Sequence, residues 1–361
     1  MAITIGSGVT ITGGMNFTSV SSSVIAMAHN TSPYISAYNW NSSTGFGSKF
    51  ADPASLPAGP GYAIQFNSVY SAVVMGHNTT PFVSAYAWNN STGFGTKYSD
   101  PGTLPPAFSR GMAISPNDTA VVLYNTTTSP YITAYAWNNS TGFGSKYSNP
   151  GTLPSVGNGY VAFNPAGTAV ACGQTNSPYV VVYAWSSVTG FGSKYSDPGT
   201  VPGGAVGGVK FSPDGTVLLL GSQAAPWIEA YAWNNSTGFG TKYSNPATQP
   251  NGVGSQGVAW SPNSDAVAVT QTSGPPYVTA YPWNNSTGFG IKYSDPSTTP
   301  TGSCYSVAWT ANGDAIAVGQ GSPGPYINAY AWNSSTGFGS KYSNPGTALA
   351  GTGYGVTFNQ V

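Results

Sequence analysis

Acid–base chemistry needs ionisable side chains, and this 361-residue sequence contains few of them. Only 5% of its residues are charged, and the formal net charge is zero. The carboxylates are single and lie in turn-like segments such as Asp100-Pro101 and Asp214-Gly215. We find no paired acids, no grouping of Ser, His and Asp, and no phosphate loop, which are the arrangements that acid–base and nucleophilic catalysis use. The sequence therefore predicts no catalytic residues and no enzyme.

Side chains that could bind a metal or a cofactor are equally sparse. His29 and His77 occupy the same position in adjacent sequence repeats, so they are expected one structural unit apart, too far to share an ion. Cys172 and Cys304 lie in different repeats, whereas disulfide frameworks show dense and even spacing. We predict buried free thiols, with a disulfide as the alternative. No metal site and no cofactor are predicted.

One ten-residue segment, YAWNNSTGFG, is repeated along the chain. Identical copies occupy residues 86–95, 135–144 and 231–240, and four near-copies contain the same Trp and Gly positions. The period of about 49 residues matches a propeller blade. We predict that the repeated tryptophans are structural, and the alternative is a sugar-binding aromatic in every blade. These tryptophans are Trp40, Trp88, Trp137, Trp185, Trp233, Trp283 and Trp332.

Each repeat divides into four short runs with strand character. In the fifth repeat we predict strands over Gly208–Phe211, Thr216–Gly221, Trp227–Trp233 and Phe239–Tyr243. Turn residues such as Pro, Asp, Asn and Gly separate the runs. Four antiparallel strands in each of seven repeats predict an all-β fold, a seven-bladed β-propeller.

The third strand of each repeat indicates how blades pack. Alternation places Tyr135 and Trp137 on one face of this strand, and Ala134 and Ala136 on the other. Neither face is polar, so both are expected to be buried between neighbouring blades. We predict that the large residues of one blade press against the small residues of the next.

The two ends of the chain are predicted to meet in one blade. Residues 353–358 repeat the first-strand pattern of residues 61–66. We predict that they form the inner strand of the first blade, so that the termini overlap and close the ring. Residues 15–17 compete for that place. The predicted domains are an N-terminal arm over residues 1–16 and the propeller over residues 17–361.

Several motifs of the fifth repeat occur together in a known family. The segment FSPDG, an apolar strand ending in Gly-Ser, and a strand ending in Trp before a Thr-Gly turn resemble WD-repeat propellers. The resemblance covers almost the whole chain and implies the propeller fold. Asn or Ser, never Asp, follows the tryptophans, and no Gly-His pair precedes the first strands. The resemblance therefore implies neither the hydrogen-bonded Asp–His–Ser–Trp network nor the scaffold functions of that family.

Most of the basic residues occupy a single repeat position, in the segment FGxKY of the outermost strand. We interpret them as guards against edge-to-edge strand pairing, and the alternative is a ring that contacts anionic partners. The neutral charge balance argues against nucleic-acid binding, and no apolar run is long enough for membrane insertion. These lysines are Lys49, Lys97, Lys146, Lys194, Lys242, Lys292 and Lys341.

The N-terminal segment MAITIGSGVTITGG resembles the openings of many structural proteins of tailed bacteriophages. This resemblance implies a non-enzymatic virion protein that decorates the capsid or belongs to the tail or fibre, made without a signal peptide. Its expected partners are other virion proteins and a host-surface glycan or receptor, and virion symmetry would make it a homo-oligomer. The alternative is a multivalent lectin-like module on a bacterial surface or in a toxin.

The loops after the second and fourth strands vary among the repeats, whereas the other turns barely change. In an antiparallel four-stranded blade these two loops emerge on the same side, and loops carry binding residues more often than the scaffold does. Phe108 and Arg110, the only arginine, lie after the fourth strand of the second repeat. We predict them as candidate partner-binding residues, and the alternative is that these loops are simply unconstrained.

Overall fold

The computed structural model describes residues 3–5, 9–11, 23–157, 159–252 and 257–359. All of the regular structure in these ranges is β-strand, and seven four-stranded antiparallel sheets form a ring. The predicted seven-bladed β-propeller is confirmed. Across the described ranges, no helix is long and apolar enough to cross a membrane.

The first two strands, β1 (Ile3–Ile5) and β2 (Val9–Ile11), pair with each other in a separate sheet. The remaining strands build the blades in chain order: β3 (Ser23–His29), β4 (Ile35–Asn41) and β5 (Gly45–Lys49) in blade 1; β6 (Gly61–Phe66), β7 (Ala72–His77), β8 (Val83–Asn89) and β9 (Gly93–Lys97) in blade 2; β10 (Ser109–Ile114), β11 (Ala120–Asn125), β12 (Ile132–Asn138) and β13 (Gly142–Lys146) in blade 3; β14 (Val161–Phe163), β15 (Ala169–Gly173), β16 (Val180–Ser186) and β17 (Gly190–Lys194) in blade 4; β18 (Val206–Phe211), β19 (Val217–Ser222), β20 (Ile228–Asn234) and β21 (Gly238–Lys242) in blade 5; β22 (Val258–Trp260), β23 (Ala266–Thr270), β24 (Val278–Asn284) and β25 (Gly288–Phe289) in blade 6; β26 (Cys304–Trp309), β27 (Ala315–Gln320), β28 (Ile327–Asn333) and β29 (Gly337–Lys341) in blade 7; and β30 (Gly353–Asn359), which returns to blade 1.

Strand β30 closes the ring, as predicted. It is the inner strand of blade 1 and pairs antiparallel with β3, so that Phe358 lies opposite Ile25 and Val356 opposite Met27. The competing segment, residues 15–17, lies outside the described residues. In blade 5 the four strands begin and end within one or two residues of the predicted bounds.

Neighbouring blades pack large residues against small ones, as predicted. Tyr135 and Trp137 of blade 3 share a core cluster with Ala85 of blade 2. On the opposite face of the same strand, Ala134 packs in a cluster with Trp185 of blade 4. Both faces of this strand are therefore buried against neighbouring blades.

Each repeated tryptophan is the centre of an aromatic cage that joins two blades. The Trp40 ring lies 5.2 Å from Phe46, 5.0 Å from Tyr342 of blade 7 and 5.3 Å from Phe358, all edge-on. Gly45 in the adjoining turn has φ +85°, and a Cβ there would lie 2.9 Å from Tyr342. The turn needs glycine both for its left-handed backbone and for the approach of the neighbouring ring. The repeated segment is thus a joint between blades.

Outside the channel, Lys97 and Lys242 form ion pairs within their blades, and the two thiols are buried. Lys97 pairs with Asp100 at 2.5 Å at the blade surface. Blade 5 differs, because Lys242 pairs at 2.7 Å with Glu229, which is fully buried. Cys172 and Cys304 are buried free thiols, as predicted, and burial raises the pKa of each.

Candidate functional site in the central channel

The inner strands of the seven blades surround a central channel that contains two cavities. We call the end where the inner strands begin the upper mouth, and the end where they finish the lower mouth. The upper cavity has a volume of about 330 Å³ and the lower cavity about 400 Å³. Gln65, Lys210 and Thr357 line both cavities, so these residues lie where the two meet.

Four aromatic rings follow one another around the upper mouth, and we call them the aromatic arc. Tyr62 lies between Phe108 and Tyr354, with ring centroids 4.4 Å from each. The rings of Tyr62 and Tyr354 are nearly parallel, at 19°. Tyr305 continues the arc, with its centroid 4.9 Å from Tyr354. The arc therefore lines one side of the upper mouth with packed aromatic rings, of which the three tyrosines carry a hydroxyl.

A recurring β-bulge explains why these side chains meet at the mouth. Near the start of the inner strand in five blades, one residue has no partner in the second strand, and the pairing register shifts around it. Such a bulge re-aims the side chain of the extra residue. The bulged residues are Tyr62, Arg110, Gly207, Tyr305 and Tyr354.

Arg110 and Tyr160 form a polar pair at the same mouth. A Cβ on Gly111 would lie 2.6 Å from the Cα of Tyr160, so this glycine allows the inner strands of blades 3 and 4 to approach closely. Burial raises the pKa of the Tyr160 phenol, while the charge of Arg110 and a hydrogen bond from it act in the opposite direction. The Tyr160 hydroxyl therefore stays protonated at neutral pH, beside a fixed positive charge.

The structure brings the two predicted partner-binding residues to this site. Phe108 belongs to the aromatic arc, and Arg110 pairs with Tyr160. The variable loops also meet on one side, as predicted: the amide of Thr126, after a second strand, donates to the Phe108 carbonyl at 3.1 Å. What Phe108 and Arg110 bind stays a prediction. The sequence analysis missed the tyrosines, although the recurring Gly-Tyr at the start of inner strands was their signal.

Lys210 projects into the channel between the two cavities. It was missed as well, because it does not belong to the repeated FGxKY position. Its side chain is exposed only to the channel space, which the inner strands surround. Burial accordingly lowers the pKa of the Lys210 ammonium group.

Other ionisable side chains are held in structural contacts. At the lower mouth, Asp118 accepts hydrogen bonds from the Ser68 amide at 2.8 Å and from Asn139 at 3.1 Å. His29 and His77 are buried inside blades 1 and 2, where each lies 3.0 Å from a serine hydroxyl. In the part of the chain that the structure describes, no group of three or more His, Cys, Asp or Glu side chains could hold a metal ion.

Comparison with known proteins gives structural matches only. No family model and no curated protein matches the sequence. A candidate 6-phosphogluconolactonase from Bacteroides fragilis superposes with a TM-score of 0.74 at 14% identity, covering 95% of this chain and 99% of that one. The periplasmic gluconolactonase of Pseudomonas aeruginosa superposes with a TM-score of 0.69 at 12% identity, covering 93% and 99%. A functionally unknown protein from Desulfotomaculum acetoxidans gives 0.68 at 12% identity, with the same coverage.

This chain shares the fold of these proteins. At such low identity the likeness establishes the fold and not the reaction. It nevertheless contradicts the prediction of a non-enzymatic bacteriophage virion protein, because the matched propellers named above include two described as lactonases and no virion component. The prediction that the chain is not an enzyme is wrong on the same finding, which also counts against the non-enzymatic lectin-like alternative.

The reason for the error is physical. In a propeller each blade contributes one or two side chains to the channel, so the residues of a site are about one repeat apart in sequence. Arg110 and Tyr160 lie next to each other at the mouth, but they belong to blades 3 and 4. A search for local motifs of acids and histidines cannot detect such an arrangement.

Proposed function

We propose that this protein is an enzyme that hydrolyses a small sugar lactone bound in the upper cavity of the channel. The observation that carries the proposal is the aromatic arc with the Arg110–Tyr160 pair beside it at the same mouth, where Tyr62, Tyr160 and Tyr354 line a cavity of about 330 Å³. This volume and this mixture of aromatic walls with few polar groups are typical of small-molecule sites. The names of the matched propellers support the reaction class.

The two halves of the mouth suit different parts of such a substrate. The faces of Tyr62 and Tyr354 pack against each other, so their ring edges and hydroxyls are the parts available to a sugar ring, and the hydroxyls can bond to its hydroxyls. Burial raises the pKa of both phenols, so they act as neutral donors and acceptors. Arg110 and Tyr160 supply N–H and O–H donors for the lactone carbonyl.

Hydrolysis of the lactone develops negative charge where these donors lie. A water oxygen forms a bond to the carbonyl carbon, and the carbonyl oxygen becomes an oxyanion. The attacking water gives up one proton to solvent, the ring C–O bond breaks, the ring oxygen takes up a proton, and the product is a hydroxy acid. Arg110 and Tyr160 stabilise the oxyanion electrostatically, an effect for which loss of one donor costs about 100- to 1000-fold in rate. The described residues lining the upper cavity include no carboxylate or histidine, and we assign no general base among them.

The proposal is tested by proton release from D-glucono-1,5-lactone and from its 6-phosphate, measured above the spontaneous rate. We expect turnover by the wild-type protein and a kcat/KM lower by about 100-fold or more in Arg110→Met. Tyr160→Phe should cause a smaller loss. Lys341→Met is the matched control, because it removes one positive charge from the outer strand of blade 7. All variants are checked for an unchanged Tm.

Two results would contradict the proposal. The first is a wild-type rate equal to the spontaneous rate with both lactones. The second is a folded Arg110→Met variant that hydrolyses the lactones as fast as the wild type. This result would show that Arg110 at the upper mouth takes no part in the reaction.

A further inference from the structure

Where the two cavities meet, the seven inner strands contribute one residue each at the same level, and we call this set the middle ring. The equivalence follows from strand register, because each member lies opposite the corresponding residue of the second strand in its blade. All seven members line the upper cavity, the lower cavity or both. The members of the middle ring are Thr357, Gln65, Ala113, Ala162, Lys210, Ala259 and Ala308.

The polar members of the middle ring are rich in hydrogen-bond donors. Lys210 has three N–H groups, and among the described residues its ammonium has no hydrogen-bond or ion-pair partner. Gln65 uses its side-chain oxygen to accept a bond from the Ile114 amide at 3.1 Å, which leaves its NH₂ group as the end available to a ligand. Thr357 adds a hydroxyl, whose only hydrogen bond among the described residues is a long one of 3.4 Å to the Phe358 carbonyl, which a closer anion can replace. None of the seven members carries a carboxylate.

The middle ring also leaves space around the Lys210 ammonium group. Lys210 belongs to blade 5, and the equivalent residues of the neighbouring blades 4 and 6 are Ala162 and Ala259. Two small neighbours leave the lysine side chain space to reach across the channel. The acid that lines the lower cavity, Asp118, bonds to Ser68 and Asn139 instead. Lys210 therefore has no ion-pair partner among the described residues of the wall.

We propose that the middle ring is a binding site for a small oxyanion, the carboxylate or phosphate group of a molecule in the channel. Lys210 supplies the charge, and Gln65 and Thr357 supply further donors. A cation enclosed by protein loses much of its hydration, and an anion within hydrogen-bond distance restores the lost interaction. The inference does not depend on the lactone reaction proposed above, because it concerns binding of an anion by Lys210 and not the hydrolytic step assigned to Arg110 and Tyr160.

The experiment is calorimetric titration of the full chain with two separate probes, inorganic phosphate and gluconate. We expect the wild type to bind at least one probe, and Lys210→Met to bind it about tenfold more weakly or worse, as is usual for loss of a charge-assisted bond. Lys210→Arg should retain binding. Lys341→Met, which removes a charge outside the channel, should bind as the wild type does. Binding of phosphate alone indicates a phosphorylated ligand, and binding of gluconate alone a carboxylate; either result supports the site.

Equal affinity in Lys210→Met and the wild type would overturn the proposal, and so would a wild type that binds neither probe at millimolar concentration. These outcomes can be separated from failure of the lactone reaction. Binding that depends on Lys210 without lactone turnover contradicts the reaction and supports the middle ring. Lactone turnover with binding that ignores Lys210 supports the reaction and contradicts the middle ring.

Discussion

The indole nitrogen of Trp137 donates a hydrogen bond to the side-chain oxygen of Asn139, 2.7 Å away in the turn that follows. The same bond forms in the three other repeats whose turn reads NNSTG, at Trp88, Trp233 and Trp283. In the remaining repeats serine replaces this asparagine, and the buried indole nitrogen has no acceptor at Trp40, Trp185 and Trp332. A single turn residue thus decides whether the central tryptophan of a blade is fully satisfied.

Ser334→Asn should stabilise the protein. It places a side-chain oxygen where the buried indole N–H of Trp332 lacks an acceptor, and a hydrogen bond of this kind contributes about 1 kcal/mol. We expect a higher denaturant midpoint with an unchanged slope. Ser334→Ala is the control and should leave the midpoint where it is, because the serine hydroxyl does not serve the indole. A midpoint that Ser334→Asn fails to raise would show that the missing acceptor costs nothing.

Deleting residues 352–361 should strongly destabilise the propeller. The deletion removes β30, which pairs with β3 and places Phe358 5.3 Å from the ring of Trp40. Loss of one buried Phe alone costs about 3–5 kcal/mol, so we expect the Tm to fall by about 10 °C or more. Removal of residues 360 and 361 only is the control. An unchanged Tm after the longer deletion would mean that the ring does not depend on this strand.

The architecture could be predicted because it depends on patterns that repeat along the sequence. The tryptophan spacing gives the number of blades, and the likeness of residues 353–358 to residues 61–66 gives the closing strand. The aromatic cage of Trp40, by contrast, joins residues of blades 1 and 7 that no local pattern connects. The sequence predicted that large residues pack against small ones, but it did not predict which aromatic rings contact each tryptophan.

The candidate site was predictable only in part. Variation among the loops selected Phe108 and Arg110, which the structure brings to the upper mouth. The bulge that turns Tyr62 into the channel depends on the register between two strands, which the sequence does not show. Lys210 is a single residue whose position holds no charged residue in the other repeats, so comparing repeats with one another gave it no weight. When a site is formed by different residues from equivalent positions of the blades, the structure is needed to identify them.

Lys242→Met should destabilise the protein far more than Lys292→Met. Lys242 pairs with Glu229, which is 0% exposed and also accepts a bond from the Gly203 amide. Breaking such a pair leaves a buried charge and costs about 3–5 kcal/mol. Lys292 pairs with Asp295 at the surface, where an ion pair contributes about 0–1 kcal/mol. Denaturant midpoints of the two variants test the difference.

A second substitution separates lost charge pairing from lost packing. Blades 3 and 6 carry Thr133 and Thr279 at the position that Glu229 occupies in blade 5. Changing Glu229→Thr together with Lys242→Met should therefore recover much of the stability that Lys242→Met loses. A double variant no more stable than Lys242→Met alone would show that the lysine acts through packing and not through the carboxylate.

The stability of the propeller should fall as the pH drops from about 6.5 to about 4. Burial lowers the pKa of His29 to about 4 and that of His77 to about 4. As the pH falls, the histidines of the unfolded chain are therefore protonated before those of the folded chain. The neutral buried imidazoles contribute their full stabilisation above pH 6.5 and progressively less below it. The effect amounts to about 3 kcal/mol for each histidine at most.

Gln271 and Gln320 occupy the equivalent position in blades 6 and 7, which makes His29→Gln with His77→Gln a conservative double variant. Urea midpoints at pH 7.5 and pH 4.5 should differ less in this variant than in the wild type, and an equal fall in both proteins would assign the acid sensitivity to other groups.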